Sequence, residues 1–246
     1  MVKTIVGVFA HPDDEISCAG LLERAINVGR NVHLICATRG EAGKVNNNVN
    51  GNILDIRTKE LEESCELLGA TSLNFLEVGD GKSETWAATK VEEKLYKLIK
   101  DINPDIIITF DKNGGNGHPD HKEISRLTQN IFDRINDRNK KLYFVSLFPK
   151  SFMRKKLCLL PISKNRKEHF YGKFAVEDDQ VSFMIKLNRK ELKKKLNLVK
   201  CHRSQFPDNK GRYYKVPLSI FKIFAKYECF YCKDLKQEEL DNLELF

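Results

Sequence analysis

The 246-residue sequence predicts an α/β fold: a doubly wound, mostly parallel Rossmann-like sheet ordered 3-2-1-4-5, with an irregular C-terminal third. Three observations predict it. Short apolar runs alternate with amphipathic stretches from residue 4 to residue 148. The run DIIITF at 105–110 is apolar without interruption, as a strand buried on both faces requires. Right-handed crossovers between such parallel strands favour the doubly wound order.

Thr4–Ala10 reads as the first strand, and Ile16–Val28 as a helix ending at Gly29. Val32–Thr38 is a second strand, followed by a helix over Ile53–Leu68 that Gly69 stops. Leu73–Val78 is a third strand. Val91, Leu95, Leu98, Ile99 and Ile102 recur at helical spacing and predict a helix over 91–102. Asp105–Phe110 follows Asn103-Pro104 as the fourth strand. A helix over Ile124–Ile135 and a strand over Leu142–Phe148 complete the series. Pro149–Lys173 reads as basic and irregular, Phe174–Lys186 as a hairpin about Asp178-Asp179, and Asn188–His202 as a lysine-rich helix. No internal repeat is present. The expected organisation is one domain over 1–246, with a core of 1–148 and an extension of 149–246 that completes the site.

Composition narrows the function classes. No apolar segment reaches the roughly 18 residues of a membrane span, and the apolar start is too short for a signal peptide. Seven scattered cysteines, an odd number, fit a reducing cytosol better than a disulfide framework, so a cytoplasmic protein is expected. Residues 1–120 carry 13 Lys/Arg against 19 Asp/Glu; residues 121–246 carry 29 against 15. The basic half is a solvated surface or a rim that attracts an anionic ligand. Its aromatics are not interleaved in a nucleic-acid-binding pattern, so no nucleic acid is expected.

The sequence FAHPDDE at 9–15 sets three adjacent acids directly after a buried strand. In a doubly wound sheet, ligands bind beyond the carboxyl ends of the strands where the order reverses, here between the first and fourth strands. The segment after the fourth strand, DKNGGNGHPDH at 111–121, brings His118, Asp120 and His121 to the same crevice. Adjacent carboxyls are tolerable there if a cation sits among them. Imidazole and carboxylate suit a catalytic zinc with three protein ligands, and His11, Asp14 and one histidine of HPDH supply that number. The same set suits Fe2+. The alternative is that the acids at 13–15 merely cap the following helix.

Residues AHPDDE at 10–15 with GHPDH at 117–121 resemble the LmbE-like, or PIG-L-type, zinc-dependent de-N-acetylases of GlcNAc conjugates. The resemblance extends to TRGEAG (38–43), IRTKEL (56–61), Asp80-Gly81 and HRSQ (202–205), and is weakest over 149–187. It implies hydrolysis of an N-acetylglucosamine conjugate to acetate and the free amino sugar. One zinc would be held by His11, Asp14 and His121. Asp13 would be the general base, His118 would stabilise the oxyanion, and Asp120 would orient His118. Arg39, Glu41, Arg57 and Asp80 would bind substrate, with surface ion pairs as the alternative, and His202 would close the site. The expected partner is a small amino-sugar conjugate, an anionic one suiting the basic half; homo-oligomerisation is left open. Two rivals remain: an amidase acting on a bulkier acyl group with the same metal site, and a non-catalytic sugar- or nucleotide-binding module. The conjugate's aglycone is not encoded in any motif.

Three further motifs carry no chemistry. GKS at 81–83 lacks the glycine that a phosphate loop needs at position 76, which is leucine. Cys229 and Cys232 form a single CxxC and read as inert thiols. NNNVNGN at 46–52 reads as a polar loop, either a flap over the site or plain disorder.

Overall fold

A computed structural model describes residues 3–43, 51–206, 212–213 and 216–232. The proposed flap over 46–52 therefore lies largely outside the described residues. Strand β1 (Thr4–Phe9) is buried over nearly its whole length. It sits between β2 (Asn31–Cys36) and β4 (Ile106–Phe110), parallel to both. Strand β3 (Ser72–Phe75) flanks β2, and β5 (Lys141–Ser146) flanks β4, also in parallel. The order 3-2-1-4-5 read from the sequence is the observed one.

The crossovers are helices α1 (Ala19–Asn27), α2 (Ile53–Leu68) and α3 (Val91–Ile102), then the short glycine turn α4 (Gly114–Gly117) with α5 (Pro119–Ile135). Both α2 and α3 have the predicted bounds, because caps mark them. Asn52 accepts the Leu54 N–H at 3.1 Å to start α2, and Gly69 ends it at φ 90°. Helix α1 begins three residues later than predicted, after a 3-10 turn over Asp14–Cys18. Helix α5 begins five residues earlier, because Pro119 takes the first turn and the His118 side chain accepts the Asp120 N–H.

The C-terminal third is more regular than predicted. Helices α6 (Lys150–Cys158) and α7 (Lys164–Phe174) replace the expected irregular run, packing around Met153, Leu157 and Leu160. Their apolar positions are too widely interrupted by lysine to show helical periodicity. No hairpin forms over 174–186. The short β6 (Phe148–Pro149) pairs with β7 (Ala175–Val176), and β8 (Phe183–Lys186) joins the main sheet elsewhere. After α8 (Arg189–Cys201), the strands β9 (Arg212–Tyr213) and β10 (Val216–Pro217) pair antiparallel. Helix α9 (Leu218–Ala225) then leads into β11 (Tyr227–Tyr231), which inserts antiparallel between β5 and β8. The full order is β3-β2-β1-β4-β5-β11-β8. Cys229 and Cys232 are buried, and burial pushes the Cys229 thiol up to about 12.

Glu228 on β11 ties this extension to the core. Helix α1 has no side-chain cap of its own. The Glu228 carboxylate instead accepts the N–H groups of Gly20 (2.8 Å) and Leu21 (3.0 Å), and pairs with buried Lys195 of α8 at 2.7 Å. A carboxylate at a helix N-terminus answers both the orphan donors and the dipole. The contact is close enough that a Cβ on Gly20 would lie 2.2 Å from Leu187 and 3.1 Å from Glu228. Gly20→Ala should thus destabilise by about 1–3 kcal/mol through overpacking, where an open helix site would gain about 1 kcal/mol. Urea unfolding midpoints at equal m-value distinguish the two signs.

Candidate active site

The turn after β1 and the turn before α5 build the site. Asp14 folds its carboxylate back onto the N–H groups of Ala10 (3.2 Å) and His11 (2.8 Å). Asp13 takes a left-handed conformation, φ 98°, which a non-glycine residue holds only under constraint. Its N–H donates to Glu15 Oε2 at 3.1 Å, and its carboxylate lies 3.4 Å from Arg57. Across the crevice, Gly114 O accepts from His121 Nδ1 at 3.1 Å, leaving His121 Nε2 to face the site. Gly114 stands at φ 67°, and a Cβ there would come within 2.9 Å of His121 Cβ. Phe110 stacks flat on the His121 ring at 4.1 Å.

Three donor groups converge. His11 Nδ1 lies 3.0 Å from His121 Nε2, and the Asp14 carboxylate lies 3.6 Å from the first and 3.3 Å from the second. A tetrahedral ion with bonds of about 2.0–2.2 Å has edges of about 3.3–3.6 Å; the two Asp14 contacts, made by different oxygens, fall in that range, and the two imidazole nitrogens at 3.0 Å stand closer than it. The far nitrogen of His11, Nε2, meets Asp80 at 3.0 Å and Asp120 at 3.2 Å. That carboxylate–histidine arrangement orients a metal-ligating imidazole. His118 completes an overlapping group with His11 and His121, their nitrogens all within 4.8 Å.

Burial and neighbouring charges together shift the cluster's pKa values. Burial lowers the His11 pKa, but Asp120, Asp14 and Asp80 around it outweigh burial and raise it to about 12. Burial opposes ionisation of Asp14, yet His121 and His11 hold it well below the usual carboxylate range. Asp13 goes the other way: burial, opposed by Arg57 and assisted by Asp14, lifts it to about 6. His118 is lowered by burial first and then by His11 and His121.

The structure corrects several expected roles. Asp120 meets His118 through its backbone N–H and not through its carboxylate. Its carboxylate is committed to His11 and to the N–H groups of Gly81 (2.7 Å) and Ser83 (3.2 Å). The bond between the two residues runs from Asp120 N–H to His118 Nδ1 at 3.2 Å. Arg39 stays outside the site, because its guanidinium pairs with exposed Glu77 (2.6 Å) and lies over the Phe75 ring. Arg57, Asp80 and His202 are buried and each holds a neighbouring segment of the site, while Arg57 Nε and His202 Nδ1 have no hydrogen-bond partner among the described residues. Arg57 holds the carbonyls of Pro12 (2.5 Å) and Gly40 (3.0 Å), and Glu41 accepts the Asp80 N–H at 2.9 Å. His202 is fully buried on Glu15, 2.7 Å away.

Glu15 is the residue that sequence reasoning missed. Its carboxylate joins His202, Ser64 (2.6 Å) and the Asp13 N–H, so it links three segments behind the turn. Glu60 does similar work, accepting both the N–H and the hydroxyl of Ser204 at 2.7 Å. Both lie inside motifs that the sequence displays, yet no local pattern says which acid faces inward.

A family model described as PIG-L, GlcNAc-PI de-N-acetylase, matches residues 6–132, about half of the chain. The 1D-myo-inositol 2-acetamido-2-deoxy-alpha-D-glucopyranoside deacetylase of Thermomonospora curvata is 28% identical over 243 residues, covering 82% of this chain and 80% of that protein. A probable N-acetyl-alpha-D-glucosaminyl L-malate deacetylase 2 of Bacillus cereus is 35% identical over 140 residues, covering 55% and 63%. The chain spans between 46% and 58% of the length of six other relatives, one of them a mycothiol S-conjugate amidase of Streptomyces coelicolor. Among solved structures, N,N'-diacetylchitobiose deacetylase from Pyrococcus horikoshii superposes with a TM-score of 0.62 at 22% identity, covering 94% of this chain and 83% of that one. That likeness shows a shared fold.

The Glu15–His202 pair generates a stability test. Burial opposes charge on both groups, but each partner outweighs it, raising His202 from 6.5 and lowering Glu15 from 4.5. The His202 contribution is complete below pH 6.5 and is lost as pH rises through its folded value. The Glu15 contribution is complete above pH 4.5 and is lost as pH falls through its folded value. His202→Ala should therefore cost about 3–5 kcal/mol, and the gap from wild type should be widest between pH 4.5 and 6.5. Urea unfolding across pH 3 to 9, a range of about two units either side, measures it. A gap flat across that range refutes the charged pair.

Proposed function

Because the chain belongs to the PIG-L family of GlcNAc-PI de-N-acetylases, we propose that it is a metal-dependent hydrolase of N-acetylglucosamine conjugates, releasing acetate and the free amino sugar. The observation that carries this reading is the convergence of His11, Asp14 and His121 within 3.0–3.6 Å of one another, with the Asp13 carboxyl in the adjoining turn. Those three residues would hold one zinc; Fe2+ would accept the same donors. When bound, the ion supplies an acidified water and polarises the acetyl carbonyl.

The chain's own groups do the rest. Asp13, set by its left-handed turn and by Arg57, accepts a proton from the attacking water. Burial raises its proton affinity above that of an ordinary carboxylate, the direction a general base needs. Asp13 then returns that proton to the departing amine. His118 Nδ1 accepts the Asp120 N–H, which places the proton of the neutral ring on Nε2. That N–H donates to the oxygen on which negative charge develops, as an oxyanion donor does. Asp80 and Asp120 hold His11 in place. The same reading takes 1–246 as one domain whose residues 149–246 complete the site. Seven scattered cysteines, an odd number, suit a cytoplasmic setting. Among the described residues no helix is long and apolar enough to cross a membrane.

Chelator should abolish acetate release from GlcNAc conjugates, and zinc should restore it. Full activity in metal-free protein refutes the mechanism. Zinc affinity measured by competition should strengthen with rising pH, because His11 must give up its proton to bind.

The adjacent acids should fail differently. Asp14→Ala removes a ligand and should deplete bound zinc. Asp13→Asn keeps all three ligands and the metal, yet should lose about 10²–10⁴ in rate, mainly in kcat. Metal content and kinetics of the two variants are to be measured side by side. Zinc lost from Asp13→Asn but kept by an active Asp14→Ala reverses the two roles.

A further inference from the structure

The two adjacent acids of the turn after β1 are held by different parts of the fold. Asp14 rests its carboxylate on the N–H groups of Ala10 and His11, at the end of the strand itself. Asp13 is gripped through its backbone. The peptide joining Pro12 to Asp13 offers one C=O and one N–H, and a buried charge takes each. Arg57 donates to Pro12 O at 2.5 Å, and Asp13 N–H donates to Glu15 Oε2 at 3.1 Å. A peptide is planar, so holding both groups fixes its orientation. With that plane fixed, φ of Asp13 decides where its Cβ and carboxylate point. The observed 98° lies in the left-handed region, which is costly for a residue with a side chain. Hydrogen bonds to charged partners are among the strong ones and can offset that cost.

Glu15 is itself built in. It is 2% exposed, and its two oxygens divide the work. Oε1 accepts from Ser64 Oγ at 2.6 Å and from His202 Nε2 at 2.7 Å, which leaves Oε2 for Asp13. Ser64 lies on α2, and His202 ends α8 in the C-terminal extension. One turn before Ser64, Glu60 accepts the N–H and hydroxyl of Ser204 at 2.7 Å, so the segment carrying His202 is tied to the same face of α2. Among the described residues, neither oxygen of Glu15 bonds to His11, Asp14 or His121.

We propose, resting on the hydrolase reading above, that Glu15 is a positioning residue for the base. With Arg57 it clamps the Pro12–Asp13 peptide, and through His202 it couples the C-terminal extension to the step in which Asp13 takes the water's proton. The ligand Asp14 has its own supports, so loss of Glu15 separates proton transfer from metal binding.

The test uses methyl N-acetylglucosaminide and zinc-loaded protein, with rates normalised to bound zinc. Glu15→Ala should lower kcat by about 10²-fold, as a displacement of about 1 Å can, with KM and zinc content unchanged. Glu15→Gln keeps an oxygen for the Asp13 N–H, while its amide NH2 meets Ser64 and His202, both able to accept. It should recover most of the loss. A cycle with Asp13→Asn then separates positioning from general support. A residue that acts only through the base has nothing left to position, so in the Asp13→Asn background Glu15→Ala should cost no more than about threefold. Ser64→Ala loosens Glu15 without removing its charge; it should show the same pattern at smaller size and serves if Glu15→Ala does not fold. Hydrogen exchange on metal-free protein reads the clamp without turnover. The Asp13 amide should be protected in wild type and in Glu15→Gln, and should exchange at least about tenfold faster in Glu15→Ala. Equal losses of kcat in both backgrounds overturn the inference, because Glu15 then acts on something other than Asp13. Zinc lost from Glu15→Ala overturns it in favour of ligand support. Unchanged exchange of the Asp13 amide refutes the clamp by itself. Inactivity of wild type on every GlcNAc conjugate refutes the hydrolase reading and the role of the base with it, and is distinguished by exchange data that still show the clamp.

Discussion

Crowded negative charge around one imidazole is the constraint on which the site depends. Asp14, Asp80 and Asp120 all approach His11 within 3.0–3.6 Å, and Asp13 lies one residue from Asp14. Carboxylates buried this way are tolerable only with a cation among them and hydrogen bonds to their remaining lone pairs. The structure meets both demands. The three carboxylates raise the His11 pKa to about 12, so the imidazole can carry the positive charge among them. Backbone N–H groups of Ala10, His11, Ala42, Gly81 and Ser83 serve the oxygens that face away.

That demand reaches outward through the scaffold. Arg57 leaves α2 to pin the turn at Pro12 and Gly40, and so holds the two loops that follow β1 and β2 together. Glu15 takes the next layer and engages His202 from the far end of α8. The residues expected to touch a sugar are thus mostly those that keep the charged cluster rigid.

The C-terminal extension has two separable tasks. Glu228 caps α1 and, with Lys195, joins β11 and α8 to the helix that follows the AHPDDE turn. Helices α6, α7 and α9 form their own small cluster, and their residues line the space beside Asp13, Asp14 and His121.

Sheet order, the bounds of α2 and α3, and the meeting of His11 and Asp14 with His121 were legible in the sequence. Each follows from short-range pattern: apolar runs, helical spacing and caps, and the rule that parallel strands send their following loops to one end. Strand β11 was not legible, since Glu228 and Tyr227 interrupt its apolar run and its pairing partners lie more than 40 and more than 80 residues away. Nor was the direction of Asp120 and His202, or the inward turn of Glu15 and Glu60. An acid near a helix start can cap, pair with a neighbour or cross to another segment, and all three look alike in sequence. Only the packed structure selects among them, because which partner a buried charge finds is set by long-range proximity and by the cost of leaving it alone.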